Sequence, residues 1–242
     1  MAAPRPDPET RLRYLARMGI TVWRQRQDTL GADQATSGDA LDTASADHSA
    51  APASMPDWGE LEALVATCER CGLCSGRTQT VFGVGDRNAD LLIIGEAPGA
   101  EEDRRGEPFV GRAGRLLDAM LHALGLGRGQ GVYIANILKC RPPGNRDPVA
   151  DEVASCSPYL EQQIALLRPR VILAVGRIAA QFLLRTDRPL KAMRQADWYY
   201  PGSGIPVVVS YHPAYLLRNP ADKFRAWQDL KRLVPLLRPD RS

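Results

Sequence analysis

The chain has 242 residues, of which 44% are hydrophobic and 24% are charged, and its formal net charge is +3. This balance is that of an ordinary globular protein, and it excludes a wholly disordered chain, a collagen and a coiled coil. No stretch approaches the roughly 20 apolar residues of a membrane helix, and the first residues lack the apolar region of a secretory signal. We therefore expect a cytoplasmic protein that makes no membrane contact.

The N-terminal quarter of the chain differs in composition from the rest. Residues 1–27 carry apolar side chains at helical spacing, which predicts a short amphipathic helix. These side chains are Leu12, Leu15, Met18 and Val22. Residues 28–56 are rich in Ala, Ser, Thr and Asp and hold no aromatic residue. Such a segment cannot bury enough apolar surface to offset its ordering entropy, so we predict a disordered linker.

The main domain is predicted over residues 57–238, followed by a tail at 239–242. It opens on Asp57-x-x-Glu60, a capping box for a first helix. Apolar runs predict strands at 91–94, 132–135, 171–175 and 205–210, and helical patterns follow at about 112–124, 148–167, 178–184 and 222–236. Asp147 before Pro148 predicts the N-cap of the second of these helices. The alternation predicts a three-layer α/β/α sandwich with a central, mostly parallel four-stranded sheet.

Three chemically unusual segments directly follow predicted strands. They span residues 95–99, 136–146 and 211–220. In sheets of this kind ligands bind beyond the carboxyl ends of the strands. The sequence therefore predicts that all three segments meet in one active site.

Five cysteines indicate a metal site. They are Cys68, Cys71, Cys74, Cys140 and Cys156. Disulfides are rare in the cytosol, and the C-x-x-C-x-x-C spacing beside two further cysteines favours metal ligands over scattered buried thiols. Four thiolates can hold zinc or an iron–sulfur cluster, and spacing leaves both open.

Six motifs in order carry a resemblance to a known family. They are C-x-x-C with G-R-T (residues 68–78), V-F-G-V-G-D (81–86), G-E-A-P-G-x-x-E-D (95–103), G-E-P-F-V-G-R-A-G (106–114), N-I-L-K-C-R-P-P-G-N-R (136–146) and H-P-A-Y-L-L-R-N-P (212–220). Together they resemble the family 4 uracil-DNA glycosylases, which carry a 4Fe-4S cluster and remove uracil from DNA. The resemblance runs from about residue 58 to 236.

The resemblance implies four cluster ligands, Cys68, Cys71, Cys140 and Cys156. Cys74 falls outside that set because of its distance to Gly76-Arg77-Thr78, although Cys71 and Cys74 satisfy the same C-x-x-C rule. The cluster would tie the start of the domain to the loop and helix around Cys140 and Cys156. Arg141 and Arg146 would then be placed toward DNA.

The same resemblance implies how DNA is held. A base can react only after it leaves the stack, at a cost of a few kcal/mol. Tyr215, Leu216, Leu217 and Arg218 resemble the family's loop that enters the minor groove, with apolar side chains filling the vacated space. The alternative is that Leu216 and Leu217 are the buried start of the last helix.

The implied base pocket combines the loop Gly95-Glu96-Ala97 with three reading residues. Phe109 would stack on the flipped pyrimidine, Asn136 would accept from N3–H and donate to O4, and His212 would donate to O2 as negative charge develops. Without the family, Phe109 reads as a loop residue anchored in the core, and Asn136 as an N-cap or Asx-turn.

Breaking the glycosidic bond leaves a sugar cation that water traps, and a nearby carboxylate can stabilise or guide both. Glu96 and Glu102 are the candidate carboxylates, with Asn145 as a candidate water orienter. In the first family of uracil glycosylases an Asp activates water where this chain has Ala97, so the sequence leaves the role open among these three.

We therefore expect a monofunctional, monomeric DNA glycosylase of base-excision repair that associates with the nucleoid through DNA. Its substrate would be uracil in single- or double-stranded DNA, and its products free uracil and an abasic site. Three alternatives are a covalent uracil-DNA trap, a non-catalytic DNA-binding iron–sulfur module and a zinc-binding nucleotide hydrolase. The trap is disfavoured because no K-R-R-I-H-like insert is present.

Overall fold

A computed structural model describes residues 56–237, in which six strands form one sheet. The strands are β1 (Val84–Gly85), β2 (Leu91–Gly95), β3 (Val132–Asn136), β4 (Val171–Val175), β5 (Trp198–Tyr199) and β6 (Pro206–Ser210). Their spatial order is β1-β3-β2-β4-β6-β5. The four central strands pair in parallel, and the two short strands add antiparallel edges.

Helices cover both faces of this sheet. They are α1 (Trp58–Ala66), α2 (Ala100–Arg105), α3 (Arg112–His122), α4 (Ala150–Leu167), α5 (Arg177–Leu184), α6 (Leu190–Arg194), α7 (Pro213–Arg218), α8 (Lys223–Lys231) and α9 (Leu233–Leu237). Successive residues of a strand point to opposite faces, so Leu92 and Ile94 join one buried cluster while Leu91 and Ile93 join the other. The first cluster packs against α1, α4 and α5, and the second against α3, α8 and α9. The predicted three-layer α/β/α sandwich is confirmed, but the sheet has six strands rather than the predicted four, because two short antiparallel strands pair with its edges.

The local signals at the start of the domain are also confirmed. The Asp57 side chain accepts from the Glu60 backbone N–H at 2.9 Å, and the Asp57 N–H donates to the Glu60 carboxylate at 2.9 Å. This reciprocal pair satisfies two of the backbone donors that a helix start leaves free.

Two predictions about helix boundaries are wrong. Asp147 is not the N-cap of α4, because the Glu152 carboxylate accepts from the Val149 N–H at 3.0 Å and the helix begins after Val149. Asp147 instead forms an ion pair with Arg177 at 3.0 Å. The single helix predicted over residues 222–236 is two helices, α8 and α9, separated at Arg232.

The four central strands lie where the sequence predicts them, within one residue at each end. The predicted N-terminal helix, the linker apart from Pro56, and the tail at 239–242 lie outside the described residues. Among residues 56–237, no helix is both long and apolar enough to cross a membrane.

Candidate active site and cysteine cavity

An open cavity of about 470 Å³ lies beyond the carboxyl ends of β2, β3 and β6. We call it the base pocket. It brings together most of the site residues that the sequence predicts. Those that line it are Glu96, Ala97, Glu102, Phe109, Asn136, Asn145, Arg146, His212, Tyr215 and Arg218. The predicted convergence of three segments that follow strands on one edge of the sheet is therefore observed.

Phe109 forms one wall of the pocket. Its ring lies 5.5 Å from the His212 ring, centroid to centroid, at an interplanar angle of 30°. Its backbone has φ 56°, a left-handed conformation that costs about 1–3 kcal/mol outside glycine. Arg128 holds this conformation by donating to the Pro108 carbonyl at 2.9 Å and to the Phe109 carbonyl. A Cβ on Gly114 would lie 1.6 Å from the Phe109 carbonyl oxygen, so only glycine fits there.

Asn136 is the last residue of β3 and pairs with Gly95 of β2. Both atoms of its side-chain amide are buried and make no hydrogen bond within residues 56–237. Such groups are costly unless a partner arrives. A Cβ on Gly95 would lie 2.4 Å from the Asn136 Oδ1 and 2.6 Å from the Phe109 Cζ. The absence of a side chain at Gly95 therefore leaves room for the Asn136 amide and the Phe109 ring.

His212 presents a donor to the pocket. Its Nδ1 accepts from the Ala214 N–H at 3.1 Å, so in the neutral ring the proton is on Nε2. Burial, and secondarily the charge of Arg218, lowers the pKa of His212 to about 4, against a weaker opposing effect of Glu102. The ring is therefore neutral near pH 7. A Cβ on Gly176 would approach the His212 Cβ to 3.2 Å, which shows how closely the turn packs.

The two candidate carboxylates have different surroundings. Glu102 is bound by three backbone N–H groups, of Gly99 at 3.1 Å, Val110 at 3.0 Å and Gly111 at 3.1 Å. It therefore ties the loop after β2 to the loop that carries Phe109.

Glu96 makes no side-chain hydrogen bond within the described part of the chain. Burial, and then the charge of Asp147, raises the pKa of Glu96 to about 7, while Arg177 acts in the opposite direction. Of the two candidate carboxylates, Glu96 is thus the one whose oxygens are available to water or substrate.

Asn145 and the two predicted DNA-binding arginines lie on the loop after β3. Asn145 has φ 54°, and its Oδ1 accepts from the Arg141 Nε at 2.8 Å. Its amide nitrogen remains available to the pocket. Arg146 forms a two-pronged pair with Glu152 at 2.9 and 2.6 Å. Both arginines therefore have partners inside the protein.

The predicted minor-groove wedge requires a correction at Leu216. This side chain is only 1% exposed, because it packs into the protein from α7. Leu216 is therefore buried, as the alternative has it, but it lies within α7 and not at the start of the last helix. Leu217 is half-buried and Arg218 is exposed. Tyr215 stacks on Tyr211 at 5.0 Å. Leu217 and Arg218 are therefore the more accessible side chains at the end of α7.

The cysteines surround a second, small cavity, which we call the cysteine cavity. It is lined by Cys68, Cys71, Cys74, Cys140 and Cys156. Arg77 donates to the Cys140 Sγ at 3.3 Å, and the Lys139 backbone N–H donates to the Cys156 Sγ at 3.2 Å. Burial raises the pKa of the Cys156 thiol to about 11. Within residues 56–237 no group of three His, Cys, Asp or Glu side chains is placed to hold a single metal ion. The thiols instead surround the cavity.

Sequence reasoning missed three residues that support the site. Arg128 fixes the Phe109 loop, and Lys139 and Gln163 form a buried pair behind Asn136. Of the three, only Lys139 is conspicuous in the sequence, because it is a charged residue within the apolar run that continues β3. Arg128 lies 19 residues from Phe109, and no local pattern connects the two.

A family model and several known proteins are similar to this chain. A family model described as the uracil DNA glycosylase superfamily matches residues 82–231. The type-4 uracil-DNA glycosylase of Archaeoglobus fulgidus is 41% identical over 180 residues, covering 71% of this chain and 89% of that protein. That of Pyrobaculum aerophilum is 42% identical over 180 residues, covering 72% and 91%. The chain therefore belongs to the uracil-DNA glycosylase superfamily and, within it, to the type-4 uracil-DNA glycosylases.

Proposed function

We propose that this protein hydrolyses the N-glycosidic bond between uracil and deoxyribose in DNA, leaving an abasic site for base-excision repair. The observation that supports this most is the shared pocket of Phe109, Asn136 and His212, in which the buried Asn136 amide has no hydrogen-bond partner among residues 56–237. Single- and double-stranded DNA are the substrates, on which the protein acts as a monomer. It acts in the cytoplasm, on the nucleoid.

The pocket recognises the base by stacking and by hydrogen bonds at two positions of the ring. The flipped uracil stacks on Phe109, while the Asn136 amide accepts from N3–H and donates to O4. Cytosine reverses both positions, and an amide held by packing cannot rotate to suit it. Selectivity for uracil follows from the fixed orientation of Asn136.

Bond breaking moves the glycosidic electron pair onto the departing base. Negative charge accumulates at N1 and O2, and the neutral His212 donates its Nε2–H to O2 without first losing a proton. A preorganised donor of this kind in a dry site contributes about 3–4 kcal/mol. The sugar is left as a cation at its anomeric carbon.

Water then attacks the sugar cation, and we assign its guidance to Glu96. Three backbone N–H groups already bind Glu102, and the Oδ1 of Asn145 is taken by Arg141. The ionised Glu96 stabilises the cation and accepts a proton from the attacking water. Glu102 then positions the two loops, and the amide nitrogen of Asn145 orients the water.

We further propose a 4Fe-4S cluster bound by Cys68, Cys71, Cys140 and Cys156. The donor set fits, because all four thiols line one cavity and Arg77 and the Lys139 N–H supply donors to the sulfurs. Such donors stabilise sulfur that carries negative charge. When bound, the cluster supplies a four-point cross-link between the start of the domain and the segment from β3 to α4.

One assay tests the activity. The protein is incubated with single-stranded and duplex oligonucleotides that contain uracil and is then treated with alkali, which cuts the strand at abasic sites. Strand cleavage is the expected result. A shifted covalent band would instead identify a trap, and no change would identify a non-catalytic binder.

A further inference from the structure

We propose that Lys139, held by Gln163, is a positioning residue that fixes Asn136 for base reading. The inference rests on the proposed function, since it concerns how the same pocket achieves its selectivity. It assigns a role to two buried residues that do not line the base pocket.

The hydrogen bonds form a continuous chain behind the pocket. The Lys139 Nζ donates to the Asn136 carbonyl at 2.9 Å and to the Gln163 Oε1 at 2.7 Å. The Gln163 Nε2 donates to the Phe82 carbonyl at 3.0 Å, which fixes the Gln163 amide with its oxygen toward Lys139. The Lys139 backbone is anchored by its own N–H on the Cys156 sulfur.

The position of the ammonium matters because strand pairing stops at Asn136. The last paired residues of β2 and β3 are Gly95 and Asn136. Beyond them the Ile137 and Leu138 N–H groups still donate to the Gly95 and Glu96 carbonyls at 3.1 Å, whereas the Asn136 carbonyl accepts from the Lys139 Nζ. The ammonium therefore adds a restraint on the backbone of Asn136, where its amide must be held still. The side chain itself has no hydrogen bond within residues 56–237, so backbone restraint and packing are what orient it.

The energetics argue against a purely structural role. Lys139 is 1% exposed and Gln163 is fully buried. Both acceptors of the ammonium are neutral, and the neighbouring Cys156 sulfur offsets only part of the cost of removing this charge from water. An apolar side chain would fill the same space at lower cost. Retaining a buried ammonium here is understandable if the Asn136 carbonyl requires a strong donor.

The test is a double-mutant cycle between Lys139→Met and Asn136→Ala, followed by single-turnover uracil excision with enzyme in excess. We expect Lys139→Met to lower the excision rate at least tenfold in the wild-type background. In the Asn136→Ala background the same change should alter the rate less than twofold, because its effect is transmitted through Asn136. Visible absorbance checks that any bound cluster is retained equally.

Ile164→Ala is the matched control. Ile164 is buried beside Gln163 on α4 and belongs to the core, so its truncation destabilises the fold without touching the hydrogen-bond chain. Its effect on excision should be equal in both Asn136 backgrounds.

Two Gln163 variants make the result independent of whether Lys139→Met folds. Gln163→Leu removes the acceptor and should reproduce the non-additive loss, whereas Gln163→Glu keeps an acceptor for Lys139 and should retain most of the rate. Equal losses in both Asn136 backgrounds, full activity of Gln163→Leu, or failure of both Lys139→Met and Gln163→Leu to fold would overturn the inference. A wild-type protein that releases no uracil would instead refute the proposed function.

Discussion

At the scale of single residues, the base pocket combines groups whose protonation is set by burial. His212 is kept neutral and Glu96 is kept close to half-ionised near pH 7, because both are removed from water. A neutral imidazole can donate to a developing anion without a titration step, and a carboxylate near its midpoint can accept a proton.

Replacing His212 by Ala removes the donor to O2. We expect the single-turnover rate of uracil excision to fall about 10²–10³-fold, the usual effect of losing one such donor. His122→Ala is the control, since His122 is exposed on α3 and should leave the rate unchanged. A His212→Ala variant with undiminished turnover would remove His212 from the mechanism.

The pH dependence of excision should reflect Glu96. Because the pKa of Glu96 is raised to about 7, the rate should rise with pH through that value as the carboxylate ionises, and Glu96→Gln should abolish the rise. His212 should give no inflection near its usual pKa of 6.5, because its pKa is about 4. A rate profile unchanged by Glu96→Gln would shift the role to Glu102 or Asn145.

The same pKa shift has a consequence for stability. Folded Glu96 binds its proton more tightly than unfolded Glu96. The contribution of this proton to the free energy of unfolding is therefore full below the ordinary pKa of 4.5 and is lost as pH rises through about 7. Urea unfolding of the wild type and Glu96→Gln across this range should show a difference that changes in that direction.

At the scale of elements, the central strands of the sheet could be predicted from the sequence and the edge strands could not. The central strands are apolar on both faces, which makes continuous hydrophobic runs visible. The edge strands β1 and β5 have only two residues each and form because a neighbour offers free backbone groups. Leu216 illustrates the same limit, since an apolar side chain after a strand fits a DNA wedge as well as a core position.

The close approach of β2 to the pocket predicts the effect of Gly95→Ala. The new methyl group would collide with the Asn136 amide and the Phe109 ring, so we expect a stability loss of about 1–3 kcal/mol and a larger than tenfold loss of uracil excision. Gly127→Ala is the control, because nothing lies within 4 Å of the Cβ it would add. Excision equal in the two variants would mean that the pocket does not need this space.

At the scale of the whole molecule, the proposed cluster predicts which thiols hold iron. Anaerobically purified protein should be brown, and single Ala variants of Cys68, Cys71, Cys140 and Cys156 should lose iron and unfold at lower temperature. Cys74→Ala should keep both properties, although Cys74 also lines the cavity. Iron content, visible absorbance and thermal unfolding are the measurements. Zinc in place of iron, or colour lost only with Cys74→Ala, would contradict the assignment.

The order of the strands has a consequence for synthesis on the ribosome. The chain leaves β2 for β3 on one side, then crosses to β4 and β6 on the other, so Glu96, Asn136 and His212 come from distant parts of the sequence. A nascent chain that ends before β6 contains Phe109 and Asn136 but not yet His212. Competence to engage damaged DNA is thus acquired late, once translation has passed residue 212 and the last parallel strand has docked.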